Sequence, residues 1–287
     1  MPITGAHKTG LGSSAALVTS LTASLLTHYL PSEVFDIQSP DGKKILHNLA
    51  QAAHCAAQGK IGSGFDVAAA VYGSSLYRRF SPETLGSVPE PGAPGFGDKL
   101  VEVVGSDWDV EVQKEGLAIP DGIGLRMADV DCGSESVGMA KKVLSWKAAD
   151  PDRAVPLWTE LQQRNETLAQ SLRDGKVDEL PVKLNSVREL IREMGQLSDV
   201  PIEPESQTEL LDAASGVDGV YGGVVPGAGG YDAVVLVMKN DEATLKRVEE
   251  FLAGWSKEKQ TNVKLLPVEG EMEGIRKETL DLYDGWL

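Results

Sequence analysis

Apolar residues recur at helical spacing through much of this chain, and the predicted elements follow from that spacing. Val18, Leu21, Leu25 and Tyr29 mark a first helix, with Leu17 and Leu26 widening the stripe and no glycine or proline interrupting it. A second helix is predicted from about Lys44 to Gln58. Ile45, Leu49, Ala52, Ala53 and Ala56 lie on its inner side, and Gly59 is a natural stop. Residues 81–98 are rich in proline and glycine and read as an exposed loop. Short alternating runs follow at Leu100–Val104 and Val110–Val112, and Pro120-Asp121-Gly122 punctuates a domain boundary, giving units 1–120 and 121–287.

Beyond that boundary Gly124–Val130 reads as a strand running into the loop Asp131–Ser136. Met139, Val143 and Trp146 mark one helix; Val155, Trp158, Leu161, Leu168 and Leu172 mark another. Gly175 parts it from a third, carrying Leu180, Leu184, Val187, Ile191 and Met194. After a shorter helix near Leu210–Ala214, a glycine loop over 220–232 precedes the unbroken apolar run Ala233–Met238, the pattern of a fully buried strand. Asp241 caps a helix carrying Leu245, Val248, Leu252 and Trp255, and Val263–Val268 is a last strand.

Composition narrows the class. The chain has 287 residues, enough for one large or two moderate domains, and its 41% apolar and 24% charged content marks it as globular. A net charge of −16 argues against nucleic acid or an anionic membrane as partner, so an anionic substrate needs a local basic pocket set against that field. Cys55 and Cys132 are the two cysteines, which suggests a reducing compartment and no disulfide framework. No run of ~18 apolar residues offers a membrane span. The start is too polar for a signal peptide and the end carries no lipidation or peroxisomal tag, so the expected location is cytoplasmic.

Three glycine-bearing loops carry the candidate chemistry. In the first, Gly10, Gly12, Ser13 and Ser14 open a helix; glycine admits positive φ, so successive amides converge on one point beside two hydroxyls, a phosphate cradle. An ordinary serine N-cap is the plain alternative. A Walker A loop fails for want of a lysine after Gly12. Gly10-x-Gly12-x-x-Ala15 fits the dinucleotide fingerprint, yet no apolar strand precedes it, so a nicotinamide-dependent reductase loses. The second loop, Lys60–Gly64, leads into an apolar segment holding one carboxylate, Asp66, which is either a cap or a buried acid with a job. The third is Pro226–Asp232. His47 and His54 stand seven apart with no carboxylate between them and read as structural or surface histidines, not a metal pair.

Lys8-Thr9-Gly10-Leu11-Gly12-Ser13-Ser14-Ala15-Ala16, Gly62-Ser63-Gly64-Phe65-Asp66 and Pro226-Gly227-Ala228-Gly229-Gly230-Tyr231-Asp232 form an ordered trio. The trio resembles the GHMP kinases, the small-molecule kinase family that includes galactokinase, homoserine kinase, mevalonate kinase and phosphomevalonate kinase. Tyr77-Arg78-Arg79-Phe80-Ser81-Pro82 and Asp129-Val130-Asp131-Cys132-Gly133-Ser134-Glu135-Ser136 bring the likeness nearest to the fungal-type phosphomevalonate kinases. The resemblance implies an α/β (α+β, two-layer) protein with an incomplete ribosomal-S5-domain-2-like N-terminal half followed by a ferredoxin-like C-terminal half. It also implies ATP with Mg²⁺ as phosphoryl donor and 5-phosphomevalonate as acceptor, with no nucleic acid and no membrane involved.

By the same analogy Gly10, Leu11, Gly12, Ser13, Ser14 and Ala15 cradle the ATP phosphates, Ser14 ligates Mg²⁺, and Asp66 stands at the reacting phosphate. Gly227, Ala228, Gly229 and Gly230 form a closing loop, and Ser134 and Ser136 lie near the acceptor. Lys8, Arg78 and Lys142, with Arg79 and Lys141, are the candidate cations, Lys8 first for its place beside the loop. Family members carry an earlier motif with a phosphate-side lysine. With seven residues before Lys8, the sequence as given is expected to be without that motif and the first strands of the N-terminal half, and a sheet edge and apolar faces are then expected to need covering. A non-catalytic remnant that keeps the fold and binds nucleotide or a partner chain is the alternative.

Overall fold

The computed structural model describes residues 12–116, 119–130, 136–279 and 281. Among them the chain forms two compact units, one of residues 12–116 with the described part of 271–281, the other of residues 119–270.

The first unit is a helical layer with one short antiparallel ribbon. Its helices are α1 (Ser13–Tyr29), α2 (Pro40–Gln58), α3 (Phe65–Tyr72), the single turn α4 (Glu83–Gly86) and α5 (Phe96–Gly105). Strands β1 (Leu76–Arg78) and β2 (Glu111–Gln113) pair in the register Leu76 to Gln113. Local chemistry sets the ends of α2: the Ser39 hydroxyl accepts from the Gly42 amide at 2.9 Å, Pro40 fills the first turn, and Gly59 closes the helix at φ 65°. The core gathers Ala15, Ala23, Phe35, Leu46, Ala50, Val67 and Val71.

Three expectations need correcting in this unit. The α1 stripe faces water: Leu17, Leu21, Leu25 and Tyr29 are 67%, 57%, 48% and 74% exposed, while Ala15, Thr19 and Ala23 are buried. Small residues at i, i+4 and i+8 let α1 approach its neighbours closely, and among the described residues nothing covers the leucines. On α2 the inner face is likewise displaced. Leu46 and Ala50 are buried together with His47, Asn48, Gln51 and His54, whereas Ala53 and Ala56 lie outside. Leu100–Val104 is helix, because Leu100, Val103 and Val104 share an i, i+3, i+4 face that turns Val101 to solvent.

The second unit has a four-stranded antiparallel sheet in the order β4 (Val220–Val224), β5 (Ala233–Lys239), β3 (Ile123–Val130), β6 (Val263–Leu265). Between β3 and β4 run α6 (Ser136–Ala149), α7 (Pro151–Arg173), α8 (Leu180–Ser198) and α9 (Glu205–Ser215); α10 (Glu242–Lys259) links β5 to β6. The first strand lies between the third and fourth with the second at the edge, a ferredoxin-like sheet with extra helices inserted.

Both faces of β5 are covered, as its apolar run requires. Val234, Leu236 and Met238 pack with Leu210, Leu211, Val248 and Leu252 of α9 and α10, while Val237 packs with Ile123, Leu180 and Leu184. Burying each such side chain contributes roughly 2 kcal/mol. A further helical layer joins α7 and α8 through Leu157, Leu161, Val187, Leu190 and Met194. Asp241 caps α10, accepting from the Thr244 amide at 2.7 Å. Val220–Val224 is strand where a glycine loop is expected. Gly223 sits there because a Cβ would lie 2.5 Å from the Val235 carbonyl oxygen, so only glycine lets β4 approach β5.

Candidate active site

Two helix N-termini meet in the first unit. Gly12 precedes α1 and Gly64 precedes α3, each at φ 70° and with no side chain capping the helix. The first-turn amides of both helices are therefore left to other partners, and the helix dipoles place partial positive charge beside them. The two ends are close: a Cβ on Gly12 would sit 3.5 Å from the Asp66 Cβ. Ser13 and Ser14 lie in the first turn of α1 and are exposed, and Ala15 behind them is buried. Their hydroxyls are not the helix cap, so the plain N-cap reading does not describe them.

His54 of α2 joins the two ends. Its Nε2 lies 3.2 Å from the Ser14 hydroxyl and 3.0 Å from Gln58 Nε2, and its Nδ1 lies 4.0 Å from an Asp66 carboxylate oxygen. One side of the ring thus meets Ser14 and Gln58 and the other meets Asp66. The other Asp66 oxygen accepts from the Val67 amide at 3.0 Å, and the side chain remains 25% exposed, open to a ligand. Sequence reasoning set His54 aside, and its ring is buried at the junction of Ser14 and Asp66. A signal was present: His47, Gln51, His54 and Gln58 recur at i, i+4, i+7 and i+11, a polar stripe on one side of α2.

That stripe braces the second glycine loop. Gln51 Nε2 donates to the Gly64 carbonyl at 2.6 Å, and a Cβ on Gly64 would lie 2.7 Å from the same nitrogen. From β1's end, Arg79 Nη1 donates to the Gly62 carbonyl at 2.7 Å. Burial pushes the Cys55 thiol above its ordinary pKa, partly offset by a hydrogen bond with the Gly62 backbone, so it is no thiolate nucleophile at neutral pH.

The remaining candidates are placed as follows. Arg78 projects from β1 and is ion-paired with Glu111 of β2. Lys142 is exposed on α6 in the second unit, and Ser136 opens that helix, its side chain lying outside the described residues. Lys8, Gly10, Leu11 and Ser134 also lie outside them. In the second unit Gly227, Ala228, Gly229 and Gly230 form a loop between β4 and β5, with Gly229 donating to the Pro226 carbonyl at 3.2 Å and Gly230 to the Ile202 carbonyl at 2.9 Å. A hollow of about 350 Å³ in the same unit, lined by Pro120–Ile123, Tyr221 and Lys239–Asp241, holds none of the candidates.

Among the described residues no three His, Cys, Asp or Glu side chains gather into a metal-holding group. A divalent cation at the first unit's cluster finds one hydroxyl, Ser14, and one carboxylate, Asp66. That donor set fits Mg²⁺, which keeps several waters and is held by one or two carboxylates plus substrate phosphates. Among the described residues no helix is long and apolar enough to cross a membrane.

Residues 4–74 match the family described as GHMP kinases N terminal domain, and residues 182–256 match GHMP kinases C terminal. The chain is 66% identical to phosphomevalonate kinase ERG8 of Gibberella zeae over 287 residues, covering 99% of this chain and 65% of that protein. It is 38% identical to the phosphomevalonate kinase of Candida albicans over 309 residues, covering 99% of this chain and 68% of that protein. The chain belongs to the GHMP kinase family. It spans about two thirds of the length of these relatives. A crystal structure of the Lin0012 protein from Listeria innocua shares the fold, with a TM-score of 0.66 at 18% identity, covering 93% of this chain and 71% of that one. The α/β architecture expected from the resemblance is thus the family's.

Proposed function

We propose that this chain is an ATP-dependent kinase that transfers a phosphoryl group to 5-phosphomevalonate, giving 5-diphosphomevalonate and ADP. The observation that carries the reading is the junction of two uncapped helix N-termini with Ser14, His54 and Asp66 gathered at it. Phosphoryl transfer asks chiefly for positioning and charge neutralisation, which amides, hydroxyls and a metal ion supply. In this reading the α1 amides with Ser13 and Ser14 hold the nucleotide's phosphates, extended by Gly10, Leu11 and Lys8 of the same loop. Ser14 and Asp66 would be the protein oxygens that hold Mg²⁺ beside the nucleotide's phosphates, where the ion would offset their charge.

The acceptor is itself a phosphate and needs little deprotonation near neutral pH, so Asp66 orients cations and acceptor more than it acts as a strong base. His54 orients Ser14 and Asp66. On the resemblance alone, Gly227, Ala228, Gly229 and Gly230 are assigned to the nucleotide and Ser134, Ser136, Arg78 and Lys142 to the acceptor, in a cytoplasmic enzyme.

A coupled assay for ADP release, run with and without 5-phosphomevalonate, tests the reading. ADP release is expected only with the acceptor present, and Asp66→Asn is expected to cut turnover at least tenfold, about 1.4 kcal/mol of barrier. Release that rises with mevalonate alone sinks the acceptor assignment. No release with any acceptor favours a nucleotide- or partner-binding remnant, the reading to which the leucine face of α1, uncovered among the described residues, points.

A further inference from the structure

An ion network around Glu203 in the second unit has no part in the reading above. The Glu203 side chain is 1% exposed and that of Arg188 4%. Arg188 Nε donates to both carboxylate oxygens at 3.1 Å and Nη2 donates at 2.7 Å; Arg192 Nη1 and the Thr208 hydroxyl each add a bond at 2.9 Å. The remaining Arg188 nitrogen reaches Asp212 at 2.7 Å. A pair buried so deeply adds little net stability over apolar residues of the same volume, so its geometry is what needs explaining.

Glu203 directly follows Ile202, inside Pro201-Ile202-Glu203-Pro204, where the two prolines stiffen the backbone. The Ile202 carbonyl accepts from the Gly230 amide at 2.9 Å. Gly229 packs so tightly on Ile202 that a Cβ would lie 2.4 Å from that carbonyl oxygen. Gln207, in the first half of α9, holds the Tyr231 carbonyl at 2.7 Å. The C-terminal half of the glycine loop therefore rests on a short segment whose side-chain anchor is Glu203, while a Cβ on Gly227 would meet nothing within 4 Å.

We propose that the Arg188–Glu203 network is a positioning device: it fixes the Ile202 carbonyl, and through it holds the Gly229–Gly230 backbone in a single conformation for the nucleotide to meet. Its catalytic consequence rests on the phosphoryl-transfer reading, whereas its mechanism rests on this packing alone, so the two are tested apart. The test is Glu203→Gln in the 287-residue chain, followed by NMR-detected amide exchange and steady-state kinetics.

The Gly230 amide is expected to exchange at least tenfold faster while the amides of β5 keep their protection. Turnover is expected to fall at least fivefold, with KM for 5-phosphomevalonate within twofold. A Gly230 amide as slow as in the parent overturns the inference, and so does faster exchange spread equally over β4 and β5, which marks a merely structural role. Selective loosening of Gly230 in a chain whose parent releases no ADP supports the positioning and overturns the kinase reading. Should Glu203→Gln fail to fold, Thr208→Val removes one donor from the same carboxylate, and a threefold acceleration at Gly230 is the threshold.

Discussion

The two described glycine loops are held by opposite means. In the first unit, side chains do the holding: Gln51 takes the Gly64 carbonyl and Arg79 the Gly62 carbonyl, above a polar stripe on α2. In the second, backbone holds backbone at Gly229 and Gly230, seated on Ile202, with one side-chain bond added where Gln207 takes the Tyr231 carbonyl. Side-chain bracing buries polar atoms that must all find partners; the Gln51 carbonyl oxygen has none among the described residues. The backbone contact on Ile202 holds no side-chain polar atom but admits no Cβ; the Gln207 bond to Tyr231 beside it leaves the Gln207 side-chain oxygen unpartnered among the described residues, as at Gln51. The first arrangement is sensitive to which polar side chain stands on a neighbouring helix, and the second to whether the loop residue itself has a side chain.

The largest effect expected from that contrast is at Gly229. Gly229→Ala places a Cβ against the backbone of Ile202, at φ 86°, and neither neighbour can rotate away. A loss of about 3 kcal/mol in unfolding free energy is expected. Gly227→Ala, at φ 66° with open space around it, should cost only about 1 kcal/mol. Equal losses in denaturant titrations of the two variants would break the backbone half of the comparison. Next in size is Gln51→Leu, which keeps the volume but takes the side-chain donor from the buried Gly64 carbonyl and leaves it the Ala68 amide at 3.0 Å. About 1 kcal/mol is expected. A change below about 0.5 kcal/mol would mean that the side-chain brace is dispensable.

The same contrast explains what was legible in the sequence. The elements of the second half were readable because its core follows plain periodicities, while their ferredoxin-like arrangement was implied by the resemblance alone. The run Ala233–Met238, the Asp241 cap and the leucine spacing of α8 each point to the element observed. The glycine motifs located Ser14 and Asp66, which the fold brings to one junction. Periodicity misled where small and polar residues do the packing. On α1 the leucines outvote Ala15, Thr19 and Ala23 in any apolar pattern, yet close approach selects the small residues. On α2 the polar stripe turns inward, where Gln51 donates to the Gly64 carbonyl and His54 meets Ser14 and Asp66. His54 was missed for the same reason: a lone imidazole carries no apolar signal, and only its spacing with Gln51 and Gln58 places it under the loop.

The smallest expected effect concerns pH, and it separates the two loops by chemistry. Side-chain bracing brings a titratable ring inside: His47, fully buried, has its pKa held below the ordinary 6.5 by burial, against an opposing pull from its hydrogen bond with Asn48. The groups facing it are Asn48 and Gln51 on α2, Tyr72 of α3, Tyr77 of β1 and Trp108. Burial pushes the Tyr72 phenol up to about 12 and the Tyr77 phenol higher still, so neither changes charge in acid. Unfolded, the His47 ring takes a proton at higher pH than it does folded. Its contribution to stability is therefore complete above about pH 6.5 and lost as the pH falls toward the folded-state pKa. His47→Gln removes that loss. The urea midpoints of parent and variant should draw together in the variant's favour as the buffer goes from pH 7.5 to pH 5. Parallel midpoints across that range would show that the brace under Gly64 carries no proton-linked cost, and that the two loops differ in geometry alone.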